Sequence, residues 1–520
     1  MTQLLVIAVY LALLLGLGLV SNRLSRGTSQ DYMLASHSIG PVLLLLSLFG
    51  TTMTAFALVG STGEAWQTGI GVFGMLASAS GILHSACFFL VGVKLWSFGR
   101  RYGYSTQIQF FRERLESNGI GLLLFPVLIA LVIPYILLGI YGAGAVIQGS
   151  TRGLFASGAG LPAWAGSGVI CLVVFAYVFF GGMRGTAWAN ALQTLVFMGL
   201  GVVTFVLVAY NLGDKPSLLE SMQAATAQLT ETDAGRAKLT RDTIPDGVYA
   251  AFLLIPLSVA MFPHVFQHWL TARSSTAFKL PIVAHPIFIL IVWLPCVLMG
   301  TWAFGAGISP PVDPGTGQPN INLVLAMTVN RLGNPLVEGL LTAGILAAIM
   351  SSLDSQFLCI GTMFTHDVVL HYSRREKFSD RRKVLLARSF IVAIVAVSYL
   401  LSLFPPRAIF SIAIWCFSGF TGLFPLVLAA IYWRRLTKAG AAASILTTIG
   451  VWAVLFYRSN FGLPAPGKPP YRFPEEVWMG IPPMMPVVAI TVASMVALVL
   501  VSLVTRPPSQ QTIAKFFPAK

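Results

Sequence analysis

The sequence predicts an all-α polytopic membrane protein with about thirteen transmembrane helices, and three observations predict it. Of 520 residues, 56% are hydrophobic and only 10% are charged, whereas a water-facing surface needs roughly 25% charged residues. Apolar runs of the ~20 residues that cross a bilayer recur along the whole chain, most of them free of Asp, Glu, Lys and Arg. The Lys and Arg that give a formal charge of +15 fall between those runs, where positive charge orients helices in the membrane and does not read as a nucleic-acid surface. The five cysteines, Cys87, Cys171, Cys296, Cys359 and Cys416, all lie inside apolar stretches without CxxC spacing. Neither a disulfide framework nor a zinc site is therefore expected.

The predicted helices are 3–20, 40–60, 70–93, 119–149, 162–180, 186–209, 247–270, 280–306, 335–361, 387–404, 408–432, 439–457 and 481–504. The first has no basic segment before it and no small-residue cleavage site, so it reads as a retained helix. The loops that alternate from the first one onward, together with the tail, hold 23 of the 33 Lys and Arg. By the positive-inside tendency they are cytoplasmic, which puts the N-terminus outside and the C-terminus inside. The densest basic run, Arg374, Arg375, Lys377, Arg381, Arg382 and Lys383, then faces anionic lipid from the cytoplasm.

The second helix carries Gly50, Thr51, Thr52 and Thr54 at mid-span. Small and hydroxyl residues let a membrane helix unwind, and unwound carbonyls can face a cation; close packing through small residues is the alternative. The seventh helix is interrupted by Pro256 and Pro263, each lacking a backbone donor. These two broken helices open two blocks of five, and corresponding breaks in two halves point to a transporter site at the midplane. The ninth helix opens with Asn334 as N-cap and Pro335 at its first position. Along it Ser351, Asp354 and Ser355 share one face, an oxygen-rich set that suits a hard cation. A carboxylate inside a membrane is a functional candidate by default; a protonated or structural Asp354 is the alternative. His264 and His268, one turn apart, are a weak metal signal without a third ligand. His84 and His285 each stand alone in an apolar run and read as core.

Three motifs resemble the sodium:solute symporter family over nearly the whole chain: SLFGTTMTAFALVG (47–60), FGGMRGTAWANALQTLVF (180–197) and AAIMSSLDSQ (347–356). The resemblance implies a LeuT-type 5+5 inverted repeat with one helix before it and two after. The expected units are 1–39 with the first helix and loop, 40–210 and 247–432 as the two repeats, 211–246 as an outer loop, 433–505 with two helices, and 506–520 as the tail. It further implies a sodium site formed by the carbonyls of Gly50, Met53 and Ala348 and the hydroxyls of Ser351 and Ser352, with Na+ as coupling ion. Members with a second sodium site carry Asp where this chain reads Asn190. Asp354, on the neighbouring helix, reads as a relocated charge that would make Asn190, Asp354 and Ser355 a candidate second cation or proton site; loss of the second site is the alternative.

The Pro263-His264 element is similar to that of the proline, pantothenate and monocarboxylate branch, although His268 stands where those members carry Arg. Ala57 replaces the Gln of the sugar transporters. The implied substrate is a small carboxylate-bearing solute, with Thr54, Phe56, Tyr141, Ser258, Phe262 and His264 as candidate contacts. The expected function is a sodium-coupled symporter of the plasma membrane working by alternating access. Its partners would be the lipid bilayer and a small-molecule substrate, with no obligate protein partner and no nucleic acid. A proton-coupled transporter and a non-transporting solute sensor are the rivals. An enzyme is not expected, because no Ser/His/Asp set, HExxH motif or pair of carboxylates stands out.

Overall fold

The structure, a computed structural model, describes residues 2–23, 28–154, 158–313, 317–373, 378–404, 408–462 and 483–518. Arg374, Arg375 and Lys377 of the basic run lie outside the described residues, as does most of the connection between the last two helices. Among the described residues all regular elements are helices. Ten are long and apolar enough to cross a membrane, or twelve spans when two bent pairs are each counted as one.

The exact number turns on one helix, Ala163–Gly213, whose 51 residues would reach about 76 Å if straight against a hydrocarbon core of about 30 Å. Its backbone leaves helical geometry at Gly182 (φ 55°, ψ −156°). On one side the Tyr177 hydroxyl donates to Asp354 Oδ2 (3.0 Å), and on the other Asn190 Nδ2 donates to Ser355 Oγ (2.9 Å). A straight helix would hold those two side chains about 20 Å apart along its axis, so the chain folds back at Gly182 as a helical hairpin. Its limbs correspond to the predicted segments 162–180 and 186–209. Thirteen segments result when the limbs are counted separately; length and apolarity alone stop at twelve.

A side chain at position 182 would meet the Tyr32 carbonyl oxygen at 2.7 Å, and the backbone dihedrals belong to a region occupied almost only by glycine. Gly182→Ala is therefore expected to destabilise the protein by about 1–3 kcal/mol, read as a lowered thermal midpoint in detergent. An unchanged midpoint would show that the hairpin does not need this backbone.

The Pro335–Leu370 helix is the axis of the bundle, with 83% of its apolar window buried against 22% for Asp380–Ser402. It packs against both limbs of the hairpin, the first helix and Asn118–Ser150. Asn334 caps it as expected, its side chain accepting from the N–H groups of Leu336 and Val337, with Pro335 at the first position.

The two predicted breaks are present. Pro41–Thr52 and Phe56–Thr68 meet at 59°, and Asp246–Met261 and Pro263–Thr271 meet at 53°. The second break falls at Phe262, whose backbone is extended ahead of Pro263. Pro256 sits within the 3-10 stretch Phe252–Met261 and does not mark the bend.

The basic connections gather on one face. There Ile39 N–H donates to the Thr271 carbonyl (3.0 Å), Arg184 pairs with Asp31 (2.7 Å), and Arg114 donates to the Trp433 carbonyl (2.9 Å). The short helix Gln107–Arg114, closed by a Thr106/Gln109 capping box, braces this face. Arg112 pairs with buried Asp367 (3.4 Å) at the end of the axial helix, and Gln107 Nε2 donates to the Met261 carbonyl beside the second break (3.2 Å).

The tail is part of the fold. The helix Gln510–Phe516 lays Phe516 against Phe98, Tyr102 and Phe110, pairs Lys515 with Glu113, and donates from the Ser509 and Thr512 hydroxyls to Glu116. Those two hydroxyls hold the Glu116 carboxyl below the usual carboxylate range.

Candidate ion and solute site

At the first break Met53 is extended (φ −86°, ψ 105°). The Ala57 N–H, which a continuous helix would aim at the Met53 carbonyl, bonds the Thr54 carbonyl instead (2.9 Å). The Thr54 hydroxyl accepts from the Phe56 N–H (3.0 Å), capping the outgoing half. The Met53 carbonyl is thus taken out of the helical ladder.

The axial helix meets the break through Ser351, whose hydroxyl lies 2.8 Å from both the Gly50 and the Ala348 carbonyl oxygens. One hydroxyl has one proton, so it bonds one carbonyl at a time and leaves an excess of oxygen lone pairs among buried atoms. That chemistry suits a hard cation. Ser352, one residue on, accepts from Gln356 Nε2 (2.9 Å) and is also buried. Small residues make the approach feasible: a side chain at position 50 would lie 2.6 Å from Thr194 Oγ1 and 3.1 Å from the Asn190 carbonyl. Packing and ion chemistry, alternatives in the sequence, thus coincide at Gly50.

Asn190, Asp354 and Ser355 are brought together one turn along the same helix. Ser355 Oγ donates to Asp354 Oδ1 (2.9 Å), accepts from Asn190 Nδ2 (2.9 Å), and lies 3.0 Å from His268 Nε2. Asp354 is fully buried and takes the Tyr177 hydroxyl on its other oxygen. Among the described residues no Lys or Arg pairs with it, so a charge on it would have no protein counterion. Asn190 Oδ1 is buried and without a partner. Tyr177 and His268 join this group without having been candidates for it. Nothing in the sequence flags Tyr177, because it needs the hairpin at Gly182 to arrive there.

The candidate solute contacts divide. Phe56 from the first break and Ser258 and Phe262 from the second line one small cavity of about 30 Å³, with Met53 and Tyr135. Phe56, Phe262 and Tyr135 each contact Phe417, itself part of the lining, ring to ring (5.1–5.5 Å). His264 stacks on Phe262 (5.4 Å) and meets the edge of Tyr135 (5.3 Å), and both its ring nitrogens are buried without partners.

Tyr141 stands apart from this group. Its hydroxyl donates toward the carbonyls of Leu401 and Phe404 (3.4 Å each), and its ring lines a different cavity with Trp415 and Trp452. Tyr135 takes the expected place: six residues are 1.67 helical turns, so the two tyrosines face directions about 120° apart. His264 and His268 also diverge, the first toward aromatic rings and the second toward Ser355. Among the described residues no three of His, Cys, Asp and Glu gather into a metal-binding group. His84 and His285 are not solitary core residues, since His84 Nδ1 lies 3.1 Å from His285 Nε2.

Two helices broken near mid-span, buried oxygens of a third against one break, and a cavity between the breaks form the architecture of a LeuT-type membrane transporter. A Na+-coupled sialic acid symporter, solved in a substrate-bound outward-open state, shares the fold with a TM-score of 0.72 at 17% identity, covering 98% of this chain and 99% of that one. The high-affinity proline transporter PutP of Bacillus subtilis (strain 168) is 25% identical over 495 residues, covering 94% of this chain and 95% of the relative. The sodium/proline symporter of Staphylococcus aureus (strain JH9) is 26% identical over 454 residues, covering 85% and 83%. The profile of the sodium:solute symporter family matches residues 32–448. The chain belongs to the sodium:solute symporter family. It is an integral protein of the plasma membrane with sodium as coupling ion and a small-molecule substrate, and its family role is transport rather than catalysis.

Proposed function

We propose that the chain imports a small carboxylate-bearing solute, with a proline-type amino acid as first candidate, by alternating access driven by sodium. The observation that carries this reading is the Ser351 hydroxyl, 2.8 Å from carbonyls on two different helices at the first break. Sodium held by Gly50, Met53, Ala348, Ser351 and Ser352 fixes the break, and the break carries Phe56 into the wall of the solute cavity. Ion and solute therefore stabilise one arrangement, and each must raise the other's affinity by the same factor. Phe56, Ser258, Phe262 and His264 contact the solute, and Thr54 orients Phe56 through its cap.

Asn190, Asp354 and Ser355 hold a second cation, with Tyr177 completing the oxygen set. The repeats are 40–210 and 247–432. The N-terminus lies outside and the C-terminus in the cytoplasm, a reading supported by the gathering of the basic connections on one face.

Purified protein in proteoliposomes tests this reading with labelled L-proline, L-lactate and pantothenate under an inward sodium gradient. At least one acid is expected to accumulate and to leak back when the gradient is dissipated. Equal uptake under sodium and potassium gradients would overturn the coupling. No accumulation of any of the three would overturn the substrate class.

A further inference from the structure

The solute cavity has a third wall, contributed by His84 of the helix spanning 71–102. His84 Nδ1 lies 3.1 Å from His285 Nε2, so one ring donates to the other. His285 is fully enclosed, with Phe49 and Phe88 against its ring (5.3 and 4.9 Å), and its Nδ1 has no partner.

That enclosure selects the direction of the bond between neutral rings. If His84 donated, the proton of His285 would sit on Nδ1 as an orphaned buried N–H, which is rarer in proteins than an under-satisfied acceptor. If His285 donates from Nε2, its bare Nδ1 is the group left over. His84 then accepts at Nδ1 and carries its own proton on Nε2. His84 Nε2 is not among the enclosed nitrogens, and its residue borders the cavity. Trp293 borders the same cavity, is 3% exposed, and has an indole N–H with no partner. An indole only donates, so a second N–H lies within the wall of the cavity, whose lining also includes the hydroxyl-bearing Thr52, Ser80, Tyr135 and Ser258.

We propose that His84, fixed in its Nε2–H tautomer by His285 and assisted by Trp293, receives the carboxylate of the transported solute. This rests on the reading of the cavity as the solute site and adds the group that selects acids. His285 is a positioning residue, since it acts through His84.

Calorimetric titration of the purified full-length protein in sodium buffer tests it. The probes are L-proline, L-lactate and pantothenate, with L-prolinamide as the counterpart of proline whose carboxylate is replaced by an uncharged amide. The wild type is expected to bind at least one acid and to bind the amide more weakly. His84→Leu should weaken binding of the acid about tenfold or more and abolish the preference for acid over amide, with sodium binding measured separately and unchanged. His84→Gln, which keeps an N–H at the cavity, should recover part of the preference. His285→Phe should reduce it, because the tautomer is no longer fixed.

Unchanged acid affinity in both His84 variants would overturn this inference and leave the proposed function standing. So would a loss that extends to sodium binding in both, which marks a structural role. A wild type that binds sodium but none of the acids would overturn the substrate reading and this inference together.

Discussion

Ser351→Ala lowers apparent sodium affinity by about ten- to a hundredfold, the effect of removing a hydrogen-bonding group worth ~1.5–3 kcal/mol to an ion. The hydroxyl touches both the broken helix and the axial helix, at 2.8 Å from each carbonyl. Its loss removes the proposed ligand and also the hydroxyl that lies between the Gly50 and Ala348 carbonyls. Saturable binding of radioactive sodium to purified protein measures this without any knowledge of the substrate. Ser352→Ala should show a shift of the same sign, because its oxygen lies beside Ser351 on the same helix. Sodium binding unchanged in both variants would remove the site from this break. Because coupling is reciprocal, solute affinity at fixed sodium should fall with sodium affinity.

Asp354→Asn is expected to change the number of ions per cycle. The carboxylate is buried, has no basic partner among the described residues, and shares its oxygens with Tyr177 and Ser355. The amide keeps the shape and removes the charge proposed to hold a second cation. A coupled sodium ion contributes about 1.4 kcal/mol for a tenfold gradient and about 2.3 kcal/mol per 100 mV. Losing one ion under those forces lowers maximal accumulation roughly 500-fold. Reversal-potential measurements in proteoliposomes read the ratio directly, with two ions per solute in wild type and one in the variant. A ratio equal in both proteins would mean that Asp354 holds no coupled cation.

Much of this was legible in the sequence because each signal was local. A run of Gly and Thr within an apolar span marks a break wherever it occurs, and the first break falls at 53–55 as that pattern implies. Asn334-Pro335 announces a helix start with its own chemistry, and the start is there. The spacing of Ser351, Asp354 and Ser355 fixes their shared face before any tertiary contact is known.

What stayed hidden depends on which helix lies next to which. Tyr177 reaches Asp354 only because the chain reverses at Gly182; the predicted helices 162–180 and 186–209 imply a reversal there, but not which residues of a third helix each limb meets. His84 and His285 are 201 residues apart, and neither looks paired until their helices meet. Tyr141 was the expected contact and Tyr135 is the actual neighbour of Phe262, a distinction set by helix rotation that a nearly uniform apolar pattern leaves open. Pro256 shows the same limit: two prolines signal a break, but packing decides which of them marks it.

The docked tail gives the protein a schedule. Lys515 and Glu113 are 402 positions apart, so at about 5–20 residues per second the ribosome needs roughly 20–80 s to make the partner after the helix that receives it. Throughout that interval Gln107–Arg114, which carries Arg112, stands without the ring of Phe516 against Phe110. Membrane insertion is then nearly finished before this face can close, and a chain released early would lack the element made to complete it.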